Sequence, residues 1–495
     1  MNIADLSAWA KVNRLVVAAL LIIFSLRIIF TGVMGLMPQD AYYYFYSEHP
    51  ALSYYDHPPA IAWLLKAFTT VLGKEVFVIK LADTVTTLLT LFCFYRLARL
   101  FTSRHVAGKA LLLLFPTLMI TILSLVSTPD VPLMLCWTLT LLCLYHAVFR
   151  GKKMWWIWAG VMMGLAFDSK YTAVFLPFGL LLFLVFSAQY RRLLWSPWPW
   201  LCFLFMALLS SPVIIWNLQN DLASFRFQSS GRTGGIAFRP LDILGVIGHQ
   251  AAILLPVLFF GLMVILYKTV RKYGLRIAAV PPKKLFLLCF FIPAFAGFFL
   301  ISGIYWVKLN WMMPAYISGI IWASAYFSHK YIRWQQVAAV IVHLAMAVEL
   351  LFYPVPVNSD DVWMGWGQMA GAVREVREQY PEDFVFSADS YKTSAVLNFY
   401  FDEMVYGENI IGEPALQFDY VNTDLNALKG RNALFVNSVK ELGDEVDEKA
   451  FVLRLKAYFT SVEALPPVIS KRGGKVVRKF LVYRCFDYHP EGVGK

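Results

Sequence analysis

Three aspartates sit among residues that could turn them to chemistry. Asp40 lies in Leu-Met-Pro-Gln-Asp-Ala-Tyr-Tyr-Tyr, Asp56 heads Asp-His-Pro-Pro, and Asp130 stands in Ser-Thr-Pro-Asp-Val-Pro. A carboxylate can deprotonate an acceptor hydroxyl, while a cation stabilises a departing phosphate. His57 could orient Asp56, shuttle a proton, or contact a phosphate when protonated. Arg226, Arg232 and Lys308 offer cations: an arginine fork grips phosphate in bidentate fashion, and a lysine acts as a point charge. Each group also has a plainer reading. Asp40 and Asp130 would serve as helix N-caps, and the cations as solvated loop charges. Tyr42, Tyr43, Tyr44, Tyr46, Tyr54 and Tyr55, taken alone, read as an aromatic belt at headgroup level. No Walker-type loop, no Gly-x-Gly-x-x-Gly after a strand and no His-Glu-x-x-His occurs, and Gly231–Gly235 is a poor nucleotide signature. Donor activation by cytoplasmic ATP or a nucleotide-sugar fold is therefore not indicated.

The elements that must position these residues are membrane spans. Of 495 residues, 59% are hydrophobic and only 15% charged, with mean hydropathy +0.59. A soluble domain carries about a quarter charged residues. The apolar residues come in runs close to the roughly 20 residues that cross a bilayer core as a helix. About eleven spans are expected, at 13–32, 76–98, 106–124, 131–149, 154–168, 171–188, 198–217, 242–267, 285–303, 312–328 and 336–353. The first has no small-residue cleavage site and reads as retained. Residues 33–75 are too polar for a span and too apolar for a free linker, so they read as interfacial helices, with Pro58 initiating the second. After about residue 353, charged and apolar residues alternate, as in a compact α/β domain over 354–495. Five of the six cysteines lie in apolar runs and read as packing residues, with neither disulfide nor zinc site implied.

The net charge of +12 comes from basic residues scattered among loops, a pattern of topology and anionic-lipid contact rather than nucleic-acid binding. Lys11/Arg14, Arg96–Lys109, Arg150–Lys153, Arg191/Arg192, Lys268–Lys284 and Lys330/Arg333 all fall on one side when spans alternate, and the positive-inside rule makes that side the cytoplasm. The opposite face then receives Leu36–Glu75, Ser127–Asp130, Asn217–Asp242, Ser302–Trp311 and the C-terminal domain. Asp40, Asp56, His57 and Asp130 are thereby expected on one external surface.

These stretches resemble a known family. Asp40-Ala41-Tyr42-Tyr43-Tyr44, Ala51 to Pro59, Thr128-Pro129-Asp130-Val131-Pro132, Gly164-Leu165-Ala166 with Ser169-Lys170-Tyr171-Thr172, and Ser211-Pro212 with Ile215-Trp216-Asn217 are similar to bacterial glycosyltransferase family 39. That group is akin to protein O-mannosyltransferases (PMTs) and lipid A aminoarabinose transferases, and the resemblance covers roughly residues 1–320. It implies a polytopic α-helical GT-C fold, a polyprenyl-phosphate sugar donor and an extracytoplasmic active site in the bacterial inner membrane. It also implies Asp40 and Asp130 as catalytic residues. Asp56, His57, Tyr42, Tyr55, Lys170, Arg226, Arg232 and Lys308 become the expected substrate-binding set. Where the aminoarabinose transferases carry a lysine before Pro-Pro, this chain has His57. The second adjacent acid of the mannosyltransferases is replaced by Ala41. Lipid A enzymes of the group can bind a divalent ion, although no metal cluster stands out here. The expected reaction moves a sugar from undecaprenyl phosphate or a similar carrier to lipid A or another glycolipid, an envelope glycan or a protein hydroxyl. A secondary transporter or lipid flippase, which would also show external acids and bases, is the alternative.

Overall fold

The structure, a computed structural model, describes residues 14–229, 238–355, 362–439 and 448–492. Among them, five helices are long and apolar enough to cross a membrane: Arg14–Val33, Val76–Phe101, Asp130–Phe149, Pro282–Ile301 and His329–Phe352. Three of the expected spans are instead bent pairs. Arg104–Leu114 and Leu118–Leu125 meet at 66°, Pro197–Leu209 and Ser211–Gln219 at 47°, and Pro240–Leu254 and Pro256–Tyr273 at 115°. Counting each pair as one span gives up to eight. Met154–Phe167 and Tyr171–Phe186 are shorter apolar helices, and Met313–Ala323 is shorter still at 11 residues.

The bends have a common cause in the sequence. Pro116, Pro212 and Pro256 lie at the three breaks. A proline removes an N–H and its ring clashes with the carbonyl one turn back. In lipid the backbone groups so released need partners, because water is absent. Gln335 supplies two at the sharpest break: its Nε2 donates to the Leu254 carbonyl at 2.8 Å, and its Oε1 accepts from Leu258 N at 3.1 Å. Between them Leu255 holds a φ of +67°, a region that L-residues rarely enter. Arg27 serves the first break, with Nη2 donating to the Phe115 and Thr117 carbonyls at 2.7 and 3.1 Å and Nε to Thr121 Oγ1 at 2.9 Å.

The bundle has two chemically distinct ends. At one, Lys283 Nζ donates to the Leu100 carbonyl at 3.3 Å and Lys109 Nζ to the Phe327 carbonyl at 3.0 Å. Basic residues dominate there. At the other end lie Asp40, Asp130 and the helices Pro38–Glu48 and Ala60–Leu72, the first of them buried in protein over nine of its eleven residues. The second of these starts just after Pro58 and Pro59, with Pro59 at its N-cap.

Residues 384–488 contain a five-stranded mixed sheet in the order β2-β1-β3-β5-β4. The strands are β1 Phe384–Phe386, β2 Val405–Tyr406, β3 Ala433–Val439, β4 Phe459–Arg472 and β5 Lys475–Tyr488. β1 runs parallel to β2 and β3, and β5 is antiparallel to both β3 and β4. The sheet shares one apolar core with helix Pro38–Glu48: Tyr42, Phe45, Tyr46, Trp366, Val396, Leu434 and Val482 belong to the same cluster. This corrects the plain reading of the tyrosines. Tyr42, Tyr43, Tyr44, Tyr46 and Tyr54 are buried instead of forming a headgroup belt: Tyr42 packs on Tyr391 and Phe418, Tyr44 on Phe399, and Tyr46 stacks on Tyr54.

Candidate active site

Asp40 is the third residue of helix Pro38–Glu48, and Pro38 at N1 starts that helix where a missing N–H costs nothing. Its carboxylate turns back to accept from Met37 N at 2.9 Å, the return half of a capping arrangement. The same group does more than cap. It accepts from Ser127 N at 2.8 Å and forms an ion pair with Lys80, both side chains being 0% exposed. Lys80 also donates to the Leu125 carbonyl. One turn on, Asp83 accepts from Ser127 Oγ at 2.7 Å, and Thr84 and Thr87 donate to the Ser124 and Leu123 carbonyls, each at 2.9 Å. Residues 80, 83, 84 and 87 share one helix face. This polar stripe stitches Val76–Phe101 to the end of the bent span that delivers Ser127 and Asp130.

Asp130 opens helix Asp130–Phe149, but Pro129 occupies the cap position and no side-chain cap bond forms. Both carboxylate oxygens instead accept from Lys170 Nζ at 2.8 Å, and Asn310 Nδ2 adds a third bond at 2.5 Å. Lys170 comes from the short break between Met154–Phe167 and Phe175–Phe186. Asp168, in that break, offers its carbonyl to Ala60 N at 2.9 Å, which joins the Asp-His-Pro-Pro helix to the same corner.

Asp56 is held by tyrosine hydroxyls. Tyr42 Oη donates to its Oδ1 at 3.2 Å, Tyr46 Oη donates to the same oxygen, and Gln228 Nε2 donates to its carbonyl. Burial first, and the Asp56 charge second, push the Tyr42 phenol well above its ordinary range, so it stays a proton donor. Gln417 ties this cluster to the C-terminal region: its N–H donates to Tyr42 Oη at 3.2 Å and its Oε1 accepts from Tyr55 N at 2.8 Å.

The ring of His57 lies 5.9 Å from that of Tyr43. Arg226 is exposed on the short helix Ala223–Gln228 and lines a cleft of about 500 Å³ with Tyr55, Asp221 and Tyr420. Tyr55 also stacks on Tyr420 at 5.5 Å. Lys308 is exposed, two residues before Asn310. Arg232 falls outside the described residues. Among the described residues, no group of three or more His, Cys, Asp or Glu side chains could hold a metal ion. Lys80, Asp83 and Asn310 were missed by sequence reasoning. Lys80 and Asp83 carried a usable signal, since ionisable residues one turn apart inside an apolar span mark function by default. Asn310 carried none.

Residues 56–216, which contain Asp56, Lys80, Asp130 and Lys170, match the family described as dolichyl-phosphate-mannose-protein mannosyltransferase. The lipid A galacturonosyltransferase RgtD of Rhizobium johnstonii (strain DSM 114642 / LMG 32736 / 3841) is 23% identical over 321 residues, which cover 63% of this chain and 64% of that protein. The chain thus spans under two thirds of that relative. Two crystal structures of ArnT from Cupriavidus metallidurans share the fold over 96% of this chain and 98% of theirs. The apo form has a TM-score of 0.61 at 14% identity, and the form bound to undecaprenyl phosphate 0.60 at 15%. Over residues 56–216 the chain is thus similar to that mannosyltransferase family, and it shares the fold of ArnT along nearly its whole length.

Proposed function

We propose that this protein transfers a sugar from a polyprenyl-phosphate carrier to an acceptor outside the cytoplasm, with a lipid A-type glycolipid as the favoured acceptor. The observation that carries this reading is the pair of buried lysine–aspartate contacts, Asp40 with Lys80 and Asp130 with Lys170, at one end of the bundle. Each joins the two charges the reaction needs. The acceptor oxygen attacks the anomeric carbon, the bond from that carbon to the phosphate oxygen breaks, and the polyprenyl phosphate leaves with the electron pair. The acceptor proton passes to Asp40, and the leaving phosphate draws Lys80 away from it. Asp130, Lys170 and Asn310 position the sugar; Asp56, His57, Tyr42, Tyr55, Arg226 and Lys308 line the approach, and Arg232 is assigned to phosphate by its chemistry alone. Direct attack inverts the anomeric centre. The name of RgtD supports the glycolipid acceptor, and undecaprenyl phosphate in ArnT supports the carrier.

The test is transfer by purified protein in lipid nanodiscs, with an undecaprenyl-phosphate sugar and lipid A, read by mass spectrometry. The sugar mass should appear on lipid A, and Asp40→Asn should lower the rate by about 10²–10⁴-fold. The broken spans favour one rival, because transporters build sites from discontinuous helices. Labelled-substrate counterflow in proteoliposomes without any covalent product would establish that rival and overturn the transferase reading.

A further inference from the structure

The basic end of the bundle carries a concavity that the proposed reaction does not use. It has a volume of about 860 Å³ and lies along helix Pro256–Tyr273, which leaves the 115° break at a steep angle to the helix before it. One face of this helix changes character along its length. Val257, Phe260 and Val264 line the inner part, and Lys268 and Lys272 follow at the same spacing toward its end. Lys284 closes the mouth from the next helix, its Nζ donating to Tyr326 Oη at 3.3 Å and lying 5.2 Å from the centre of the Tyr273 ring. Phe327 forms the floor, and only a glycine lets it approach: a Cβ on Gly261 would sit 2.6 Å from that ring. Tyr331 and Trp334 form the far wall, about half exposed. None of the described lining residues is acidic.

We propose that this groove is a binding site for an anionic glycerophospholipid, with its acyl chains along Val257–Val264 and its phosphate among Lys268, Lys272 and Lys284. Charge complementarity selects the headgroup, since basic pockets between spans on the cytoplasmic side suit anionic lipids. Length selects the tail. From Val257 to Lys268 the helix rises roughly 17 Å at 1.5 Å per residue, close to the ~15 Å half-thickness of a bilayer core. Position disfavours a sugar carrier: the groove is at the end with Lys109 and Lys283, across the bundle from Asp40 and Asp130. The inference is independent of the transferase reading, and its test does not measure transfer.

The experiment is native mass spectrometry of delipidated full-length protein titrated with palmitoyl-oleoyl phosphatidylglycerol or the matching phosphatidylcholine. Wild type should retain phosphatidylglycerol preferentially. Lys268→Glu/Lys272→Glu/Lys284→Glu should lower that retention at least about tenfold. A charge-matched variant outside the groove, Arg96→Glu/Lys153→Glu/Arg271→Glu, should keep it. Val264→Trp fills the apolar part without altering charge and should displace the lipid by volume alone, so the site remains testable if the triple variant fails to fold. Equal retention of both lipids by wild type, or equal losses in the two charge-reversal variants, would overturn the proposal. So would preferential capture of undecaprenyl phosphate through the same lysines.

Discussion

The two buried lysine–aspartate pairs look alike in composition and differ in what surrounds them. Asp40 and Lys80 are sealed, and their other partners are backbone groups: the N–H of Met37 and Ser127 and the carbonyl of Leu125. Asp130 and Lys170 retain a little exposure, at 1% and 6%, and their third partner is a side chain, Asn310, from 180 residues away. A pair anchored to backbone fixes the path of the chain as well as any chemistry. A pair closed by a side chain can open by rotating that side chain. The first contact should therefore weigh more heavily on stability than the second, while the loss of either should slow transfer.

The sharpest way to break this contrast is to remove one partner at a time. Lys80→Met leaves Asp40 buried without its cation, which costs about 3–5 kcal/mol. Thermal unfolding in nanodiscs should show it directly. Replacing both, as Asp40→Asn/Lys80→Met, should recover most of that stability while transfer stays lost; a double variant that regains both would make the pair purely structural. Next in size, Lys170→Met should reduce transfer about 10²-fold with a smaller fall in melting temperature than Lys80→Met. Equal falls in melting temperature would make the two pairs equivalent in stability. Asn310→Ala removes one hydrogen bond to a charged group, worth about 1.5–3 kcal/mol at most, and should slow transfer without altering the melting profile of the C-terminal region.

The smallest effect lies in that C-terminal region, which serves as a reference. Burial lifts the Glu408 carboxyl from 4.5 to about 7, with Glu413 and Asp389 adding to the rise and the Ser390 N–H opposing it. The folded state then holds its proton more tightly than the unfolded chain across that window. Stability contributed there is present at low pH and falls as pH rises from 4.5 toward 7. Protection over 405–411, taken relative to the intrinsic exchange rate at each pH, should fall between pH 5 and pH 8 in wild type and stay flat in Glu408→Gln.

Much of the membrane part was legible because it follows from local rules. Apolar runs gave the positions of the helices, and alternating basic clusters placed Asp40, Asp56 and Asp130 at one end. The bends were not read, although Pro116, Pro212 and Pro256 announced them, because hydropathy windows average over a single proline. Lys80 and Asp83 hid in the same way, two charges inside a long apolar run. Asp130 was weighed as a helix cap, whereas Pro129 holds that position and Lys170 claims the carboxylate. The tyrosines were hardest. Tyr42 is covered by Gln417 and Phe418 and Tyr44 by Phe399, more than 350 residues downstream, and no local pattern encodes a contact of that range.

Gln417 has a consequence for how such a chain can be rearranged. One residue receives the amide of Tyr55 and supplies an amide to Tyr42, whose hydroxyl in turn reaches Asp56. The C-terminal region is thus keyed to the loop it covers by a small set of complementary groups. A recombinant that kept residues 33–75 but received 384–488 from a distant cousin would inherit a lock without its key. Unless both sides of this contact descended together, the borrowed sheet would fold and the tyrosines beneath it would lose their register. A chimaera should therefore carry residues 33–75 and 384–488 from the same parent.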